Sequence, residues 1–317
     1  MISSLRTYLV TLKNSNPWLL LLWLELLHQR GKRELEKYSD EKSVEKLYFD
    51  FAGRWPNLVR PRLFSEKQQW LKLNYRDQLM PRCADKWEVR KFIEEKGYVD
   101  LLNDVIAVYD DIADFKLEEL PDRFVLKATH GSGWNLVCKD KNKINWMPWR
   151  FVMKSWLKSN IFWNGREWPY KEMKSRILCE KYLEDESGQL MDYKFFCFNG
   201  EPKFIQANKG RGTKQHAQNF YDLDWCLLPF GKDLKPIPGI EISKPACFQR
   251  MINIVKDLSA HFSFVRIDLY EVENRVLFGE FTFFPASGMP DFTPAEYDAF
   301  VGDMWILPKC NLQIIKR

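Results

Sequence analysis

Two acidic side chains in the last quarter of the chain have the type and spacing of a metal site. Asp268 and Glu280 lie within one segment, FVRIDLYEVENRVLFGEFTFFP, residues 264–285. Oxygen ligands on rigid strands suit Mg²⁺, which typically takes one or two carboxylates together with the phosphates of a substrate. The pair therefore predicts a magnesium site for a phosphorylated ligand. The alternative is a solvated sheet face on which Arg266 neutralises one of the two acids.

The segment that carries these acids has the pattern of a β-hairpin. Apolar and polar residues alternate on both sides of a turn that we centre on Asn274. This centring predicts three facing pairs: Asp268 with Glu280, Arg266 with Thr282, and Leu269 with Gly279. Facing carboxylates lie about 5 Å apart at Cβ and repel each other unless a cation lies between them. A slip of one residue would move the side chains to the other face, so the metal prediction depends on this register.

A second group of candidate residues lies in RFVLKATHGSGWNLVCKDK, residues 123–141, which predicts a strand, a glycine loop and a strand. Lys127 lies in an apolar strand, where an ammonium group normally needs a partner. His130, Gly131, Ser132 and Gly133 follow, and small residues let backbone N–H groups approach a phosphate. The Walker signature GK[ST] is missing, and a strand follows rather than a helix. The alternative is an ordinary hairpin turn with Lys127 reaching solvent.

Further strands are predicted between these two groups. ILCEKYLED (residues 177–185) predicts a short strand that ends at residues 180–183. Asp192 and Lys194 share one face of the next strand. Asn199–Gly200 is a type I′ hairpin signal. The polar, glycine-containing stretch 208–219 is a candidate mobile lid.

Composition bounds the protein class. A chain of 317 residues with 45% apolar and 29% charged residues fits a globular protein of about two domains. The net charge of +5 is compatible with anionic ligands but too weak to argue for nucleic acid. The seven cysteines are scattered without zinc-type spacing, which indicates reduced thiols in a cytoplasmic protein.

The amino-terminal segment differs from the rest of the chain. Residues 17–27, PWLLLLWLELL, are almost wholly apolar, and basic residues lie around them. The segment is too short to span a bilayer, which needs about 20 residues. It has no small-residue cleavage site, so it is a poor fit to a signal peptide. We favour a buried helix or an oligomer contact. The alternative is an interfacial helix at the inner membrane surface.

The order of these motifs resembles the ATP-grasp superfamily, most closely its TupA-like (teichuronopeptide-biosynthesis-like) branch of polysaccharide gene clusters. The matching blocks extend roughly from Tyr48 to Phe300: FSEKQQWLKL, RCADKWEVR, RFVLKATHGSGWN, ILCEKYLED, DYKFFCFNG, NFYDLDW, FVRIDLY and GEFTFFPASGM. The resemblance implies an α+β ATP-grasp fold, with two α+β subdomains whose antiparallel sheets hold ATP between them, preceded by a mainly helical region. The domain boundaries that we expect are 1–33, 34–120, 121–183 and 184–317.

The resemblance also implies a role for individual residues in binding ATP and Mg²⁺. Those matched to nucleotide binding are Lys127 on the phosphates, the loop His130, Gly131, Ser132 and Gly133, the adenine hinge Glu180, Lys181, Tyr182 and Leu183, and Asp192 at the ribose. Lys194, on the same strand face as Asp192, is a further candidate for binding the nucleotide. Those matched to metal are Asp268, Glu280 and Thr282. Thr282 stands where an asparagine is usual, which puts a second Mg²⁺ in doubt. Arg266 matches an arginine that stabilises the reaction intermediates, and Gly288 lies in a loop that faces the acceptor.

The implied reaction is ATP-dependent ligation of a carboxylate to an amine through an acyl phosphate. The TupA-like resemblance suggests a carboxylate on a sugar or polysaccharide precursor and an amino acid as the amine. Arg211, with Lys209 and Lys214, lies in the polar stretch and is a candidate to hold that carboxylate or the γ-phosphate, although a solvated basic loop is an equal alternative. The rival functions are a kinase or glycosyltransferase of the same pathway and a nucleotide-binding scaffold without catalysis.

Overall fold

The computed structural model describes residues 16–185, 190–210, 216–232 and 242–310. The chain divides into two compact units, each built from segments that are distant in sequence. The first unit contains residues up to Ser43, Asp85–Trp87 and Asp104–Tyr182. The second contains Val44–Ala84, Glu88–Asn103 and the residues from Leu183 onward.

The secondary structure is mixed, and helices dominate the part of the chain before the first strand. In the described residues the helices are α1 (Pro17–Lys37), α2 (Asp40–Ala52), α3 (Phe64–Asn74), α4 (Leu79–Ala84), α5 (Glu88–Glu95), α6 (Trp146–Lys158), α7 (Phe162–Gly165), α8 (Phe248–Ser259) and α9 (Tyr297–Asp303). The strands are β1 (Val105–Tyr109), β2 (Phe124–Ala128), β3 (Asn135–Cys138), β4 (Ile177–Lys181), β5 (Asp192–Phe198), β6 (Glu201–Lys209), β7 (Ala217–Tyr221), β8 (Phe264–Val272) and β9 (Arg275–Thr282). Both sheets are antiparallel, as the α+β prediction requires.

The first unit contains a four-stranded sheet in the order β1-β4-β2-β3. Strand β2 alternates as its sequence predicts: Phe124, Leu126 and Ala128 are buried in a core to which α1 and α6 also contribute. Lys127 is therefore on the face of this sheet that is turned away from that core. Strand β1 was not predicted from the sequence.

Helix α1 carries the apolar segment 17–27. Asn16 begins it by accepting the backbone N–H of Trp18 at 2.9 Å. One side of the helix buries Leu24 and His28 and packs on α6 and α7, whereas Leu22 and Leu26 on the other side are more than half exposed. Within the described ranges, every helix is too short or too polar to cross a membrane.

The second unit contains a five-stranded sheet in the order β7-β6-β5-β8-β9. One face packs against α8, where Phe195 stacks on Phe248 with ring centroids 6.2 Å apart. The other face has an aromatic end, where Phe64 of α3 contacts Phe198 and Phe264. Its remaining part carries polar side chains, here called the polar strip: Asp192, Lys194, Gln206, Asn208, Gln218, Arg266, Asp268, Glu280 and Thr282.

The β8–β9 turn has two residues, whereas centring it on Asn274 implied the three residues Glu273–Asn274–Arg275. Glu273 and Asn274 both have positive φ, 51° and 58°, as a two-residue type I′ turn requires, so Val272 faces Arg275. Counting outward from this turn places Leu269 opposite Phe278, and the predicted pair of Leu269 with Gly279 is wrong.

A β-bulge at Gly279 restores the predicted pairing of the functional residues. The register shifts by one residue between Leu269 and Asp268, and beyond this shift Asp268 faces Glu280 and Arg266 faces Thr282. A Cβ atom at Gly279 would lie only 2.9 Å from the carbonyl oxygen of Asp268, so the bulge requires glycine. The bulge is therefore the local feature that turns Glu280 to the same face as Asp268.

Candidate active site

One guanidinium group gathers three oxygen-bearing side chains on the hairpin of the second unit. Arg266 donates to both carboxylate oxygens of Asp268, from Nε to Oδ1 at 2.7 Å and from Nη2 to Oδ2 at 2.8 Å. The same Nη2 lies 2.9 Å from Oγ1 of Thr282 and 3.4 Å from Oε1 of Glu280. The two acids and the hydroxyl thus converge on one positively charged group, as the predicted facing pairs imply.

The neighbouring strand β5 adds a second cation to this cluster. The Lys194 ammonium group forms ion pairs with Asp268 and, at 2.6 Å, with Oδ2 of Asp192. Asp268 is almost completely buried, and Glu280 keeps a third of its side chain exposed. The five ionisable groups are three acids and two bases, so the cluster keeps a net negative charge when all are ionised.

The electrostatics of the cluster keep its central acid ionised. Burial alone would raise the pKa of Asp268, but Arg266 and Lys194 outweigh it and hold that pKa below its ordinary value. Burial alone would lower the pKa of Arg266, but Asp268 and then Glu280 raise it. Both groups are therefore charged at neutral pH.

The donor set fits a magnesium ion. Asp268, Glu280 and Thr282 offer hard oxygen atoms within reach of a single cationic group, Arg266, and Mg²⁺ prefers such oxygen atoms. Among the described residues, groups of three or more histidine, cysteine or acidic side chains that could hold a metal are absent. With two carboxylates and one hydroxyl as donors, a magnesium ion would complete its octahedral coordination with oxygen atoms of water or substrate.

The first unit contains the predicted phosphate-binding residues. The Nζ atom of Lys127 lies 2.5 Å from Oε2 of Glu180, so the lysine has the partner that its apolar strand requires. Ser132 and Gly133 are exposed at the tip of the loop between β2 and β3. Gly131 is buried: a Cβ there would lie 2.3 Å from the Trp134 ring, so only glycine fits.

His130 belongs to this loop through its backbone only. Its imidazole is buried, and Nε2 lies 2.8 Å from the carbonyl oxygen of Trp156 in α6. Burial lowers the pKa of His130 below its ordinary value. The ring anchors the loop to the core of the first unit.

The predicted hinge residues are the last two residues of β4, Glu180 and Lys181, and the two that follow, Tyr182 and Leu183. Lys181 and Tyr182 line an open cavity of 360 Å³ together with Asp104, Ile106, Pro121 and Arg123. The Tyr182 ring lies 4.3 Å from the Arg123 guanidinium. Leu183 is the first residue of the second unit after this hinge.

The loop after β9 has an unusual backbone that the sequence did not reveal. Ala286, Ser287 and Gly288 have successive positive φ values of 51°, 53° and 65°. Lys72 donates to the carbonyl oxygen of Ser287 at 2.7 Å, and Gln69 donates to that of Gly288 at 2.6 Å. Left-handed non-glycine residues persist only where their surroundings fix them, and they cluster at functional sites. Both anchoring residues come from α3, and their helical spacing alone gives no sign of this contact.

Two candidates, Arg211 and Lys214, lie outside the described residues. Lys209 ends strand β6, so the stretch 208–219 consists partly of the ends of β6 and β7.

The chain matches no curated protein sequence. It resembles the D-alanine–D-alanine ligase from Bacillus anthracis, with 14% identity, a TM-score of 0.43, and 75% of this chain and 69% of that chain covered. It resembles the D-alanine–D-alanine ligase from Helicobacter pylori with 12% identity and a TM-score of 0.39, covering 72% of this chain and 60% of that chain.

An L-amino acid ligase from Bacillus licheniformis gives a similar result, with 12% identity, a TM-score of 0.39, and 75% of this chain and 47% of that chain covered. The chain thus spans less than two thirds of the Helicobacter and licheniformis enzymes. Similarities at this level carry no argument about activity or substrate.

The family comparison covers most of the chain. The profile described as "TupA-like ATPgrasp" matches residues 66–306. This range includes the glycine loop, the hinge, the Asp268–Glu280 hairpin and the loop after it. The chain therefore belongs to the TupA-like ATP-grasp family.

Proposed function

We propose that the protein is an ATP-dependent carboxylate–amine ligase of bacterial cell-surface polysaccharide biosynthesis. The acid would be carried by a sugar, such as a uronic acid, and the amine would come from an amino acid. The observation that carries the proposal is the convergence of Asp268, Glu280 and Thr282 on Arg266. Membership of the TupA-like ATP-grasp family supports it.

In this proposal, the residues matched to the ATP-grasp pattern bind the nucleotide. Lys127 neutralises the α- and β-phosphates, backbone N–H groups of the loop 130–133 contact the phosphates, and Glu180 to Leu183 bind adenine. Asp192 and Lys194 hold the ribose end. Asp268, Glu280 and Thr282 would hold Mg²⁺, which when bound neutralises phosphate charge and orients the γ-phosphate.

The proposed chemistry has two steps. A carboxylate oxygen forms a bond to the γ-phosphorus while the β–γ bridging bond breaks, which gives an acyl phosphate and ADP. The amine nitrogen then attacks the acyl carbon, and inorganic phosphate and one proton leave. Arg266 stabilises the negative charge that develops in both steps, and Arg211 is proposed to assist it.

The decisive experiment is a survey of amide products by mass spectrometry. Purified protein is incubated with ATP, Mg²⁺, uronic-acid sugar nucleotides and a mixture of amino acids, and ADP is measured in parallel. We expect ADP and a new amide in equal amounts, and their joint loss in Lys127→Met. ADP without an amide would favour a kinase, sugar-nucleotide turnover without ATP would favour a glycosyltransferase, and no turnover with retained ATP binding would favour a scaffold.

We also propose that α1 contacts the inner membrane surface. The exposed side chains Trp18, Leu22 and Leu26 lie on the same side of the helix as Arg30 and Arg33. An apolar surface followed by basic residues suits an interface with anionic lipids.

A further inference from the structure

The polar strip extends beyond the acidic hairpin into a group of three amide side chains. Gln206 and Asn208 lie on β6, and Gln218 lies on the neighbouring strand β7. We name these three residues the amide cluster. Oδ1 of Asn208 lies 3.1 Å from Nε2 of Gln218 and 3.4 Å from Nε2 of Gln206. One oxygen atom thus receives N–H groups from both neighbours.

This arrangement leaves other polar atoms of the amide cluster without a partner. Within the part of the chain that the structure describes, Oε1 of Gln206, Oε1 of Gln218 and Nδ2 of Asn208 are buried and make no hydrogen bond. Gln206 is 5% exposed and Asn208 is 2% exposed. Buried polar atoms are nearly always hydrogen-bonded in folded proteins, so three such atoms in one place indicate a ligand.

The amide cluster lies on the same sheet face as the metal-binding acids. Lys194 faces Gln206 on one side and Asp268 on the other, and facing residues point to the same side of a sheet. With strands spaced by about 4.8 Å, β6 lies roughly 10 Å from β8. A substrate of two or three rings in size can therefore reach both the cluster and the acids.

The atoms that lack partners define the ligand chemistry. Two are carbonyl oxygens, which accept hydrogen bonds, and one is an N–H₂ group, which donates them. A phosphate or carboxylate has only acceptors and would be repelled by the two carbonyl oxygens. A hydroxyl group both donates and accepts, and several hydroxyl groups on one ring match the three atoms.

We propose that the amide cluster binds the hydroxyl groups of the carbohydrate ring that carries the acceptor carboxylate. This proposal rests on the proposed ligase function and specifies the substrate class of the same site. The cluster selects hydroxylated acids, because an acid without hydroxyl groups leaves the buried amide atoms unsatisfied.

The test compares acids that differ in their hydroxyl groups. D-glucuronic acid, D-galacturonic acid and cyclohexanecarboxylic acid are titrated calorimetrically into the full-length protein saturated with Mg²⁺ and a non-hydrolysable ATP analogue. We expect at least one uronic acid to bind about tenfold more tightly than cyclohexanecarboxylic acid. Equal affinity for all three acids, or no binding of the uronic acids, would overturn the proposal.

The variants Gln206→Met and Gln218→Met keep the approximate size of the side chain and remove its whole amide, both the carbonyl oxygen and the N–H₂ group that donates to Asn208. In each, the preference for the uronic acid should fall about tenfold, while the affinity for the ATP analogue stays within twofold. The melting temperature should change little in either variant, because the lost hydrogen bond to Asn208 is offset by the removal of a buried oxygen without a partner. The matched control is Gln249→Met on the exposed side of α8, which should retain the preference.

Two outcomes separate this proposal from related ones. If Gln206→Met weakens binding of the ATP analogue but not of its 2′-deoxy form, the cluster binds the ribose and the proposal is wrong. Binding is measured without turnover, so retained hydroxyl preference in a protein that forms no amide would refute the ligase function and keep the subsite. Amide formation without a hydroxyl preference would keep the ligase function and refute the subsite.

Discussion

Arg266 explains how two acids can face each other across a hairpin in the second unit. Its guanidinium contacts Asp268, Glu280 and Thr282 at once, and Lys194 neutralises the far side of Asp268. The alternative that we gave for the hairpin also placed Arg266 beside one acid. In the structure Arg266 contacts all three oxygen-bearing residues, which agrees with this alternative, and the magnesium site stays a prediction.

Glu280→Gln tests the metal-binding role at the level of one residue. Because a third of its side chain is exposed, losing its ion pair should cost at most about 1 kcal/mol of folding stability. The Mg²⁺ concentration needed for half-maximal nucleotide binding should rise at least tenfold, measured by fluorescence titration. Glu296→Gln, an exposed acid before α9, is the control. An unchanged Mg²⁺ requirement would remove Glu280 from the site.

Asp268→Asn should behave differently, because its partners are buried. The change leaves Arg266 and Lys194 without their shared carboxylate, which typically destabilises a protein by about 3–5 kcal/mol. Urea unfolding followed by circular dichroism measures this loss. A stability equal to that of Glu280→Gln would show that the two cations find other partners.

Residue types and spacing were enough to select Asp268, Glu280 and Lys127, because hard oxygen atoms in register and a lysine in an apolar strand are local signals. The ion pair of Lys127 with Glu180 was not predictable, because the two residues lie on different strands of a sheet whose order was unknown. The contacts of Gln69 and Lys72 with the loop after β9 are equally long-range. Only the folded chain shows them.

At the level of elements, the hairpin shows how a correct pairing can follow from an incorrect turn. The sequence predicted a turn centred on one residue, Asn274. The structure has a two-residue turn at Glu273 and Asn274, followed by a bulge at Gly279. Both give the same facing residues beyond the bulge. A bulge leaves no clear signal in an alternating pattern except an interior glycine. Strand β1, VIAVY, is rich in β-branched residues, which is a strand signal, but it lies in the region 34–120 that was predicted to be mainly helical.

Gly279→Ala tests the bulge. The added methyl group would meet the Asp268 carbonyl oxygen and the Tyr270 ring, each at 2.9 Å. Relief of this clash must move the backbone next to Asp268 and Glu280, so we expect a loss of about 1–3 kcal/mol in stability. The Mg²⁺ requirement should rise together with this loss. A variant with full stability and full Mg²⁺ affinity would show that the bulge tolerates a side chain.

Helix α1 carries its own prediction. The double variant Leu22→Glu/Leu26→Glu places two acids on the exposed apolar side, and binding to phosphatidylglycerol vesicles should fall at least tenfold in a flotation assay. The variant Lys32→Glu, which lies away from the centre of this surface, should lower vesicle binding less than the double variant does. A wild-type dimer that dissociates in the double variant, without vesicle binding, would favour the oligomer contact.

At the level of the whole molecule, each compact unit contains one antiparallel sheet, and both are assembled from several chain segments. Composition and length predicted about two domains, but they did not predict that residues 44–84 and 88–103 would join the carboxyl-terminal unit. Which unit a segment joins depends on tertiary contacts, and the hydrophobic periodicity of the sequence does not reveal these contacts.

The pH dependence of stability should reveal the two buried histidines of the first unit. Burial lowers the pKa of His28 and of His130 below the ordinary value near 6.5. Below pH 6.5 the unfolded chain therefore binds protons that the folded chain does not, and stability falls as the pH decreases, by at most about 1.4 kcal/mol per pH unit for each histidine. Thermal unfolding between pH 8 and 5 measures this slope. In His130→Gln the slope should decrease, and an unchanged slope would contradict the assignment.

The segmented build of the units bears on synthesis at the ribosome. A nascent chain that has emerged only as far as Tyr182 contains every segment of the first unit but also residues 44–84, whose Phe64 packs on Phe198 and Phe264. Those apolar side chains stay without their partners until translation passes Phe264. Truncated expression products ending near Tyr182 should therefore be prone to aggregation, and separate production of the first unit would require the removal of an internal stretch rather than of one terminus.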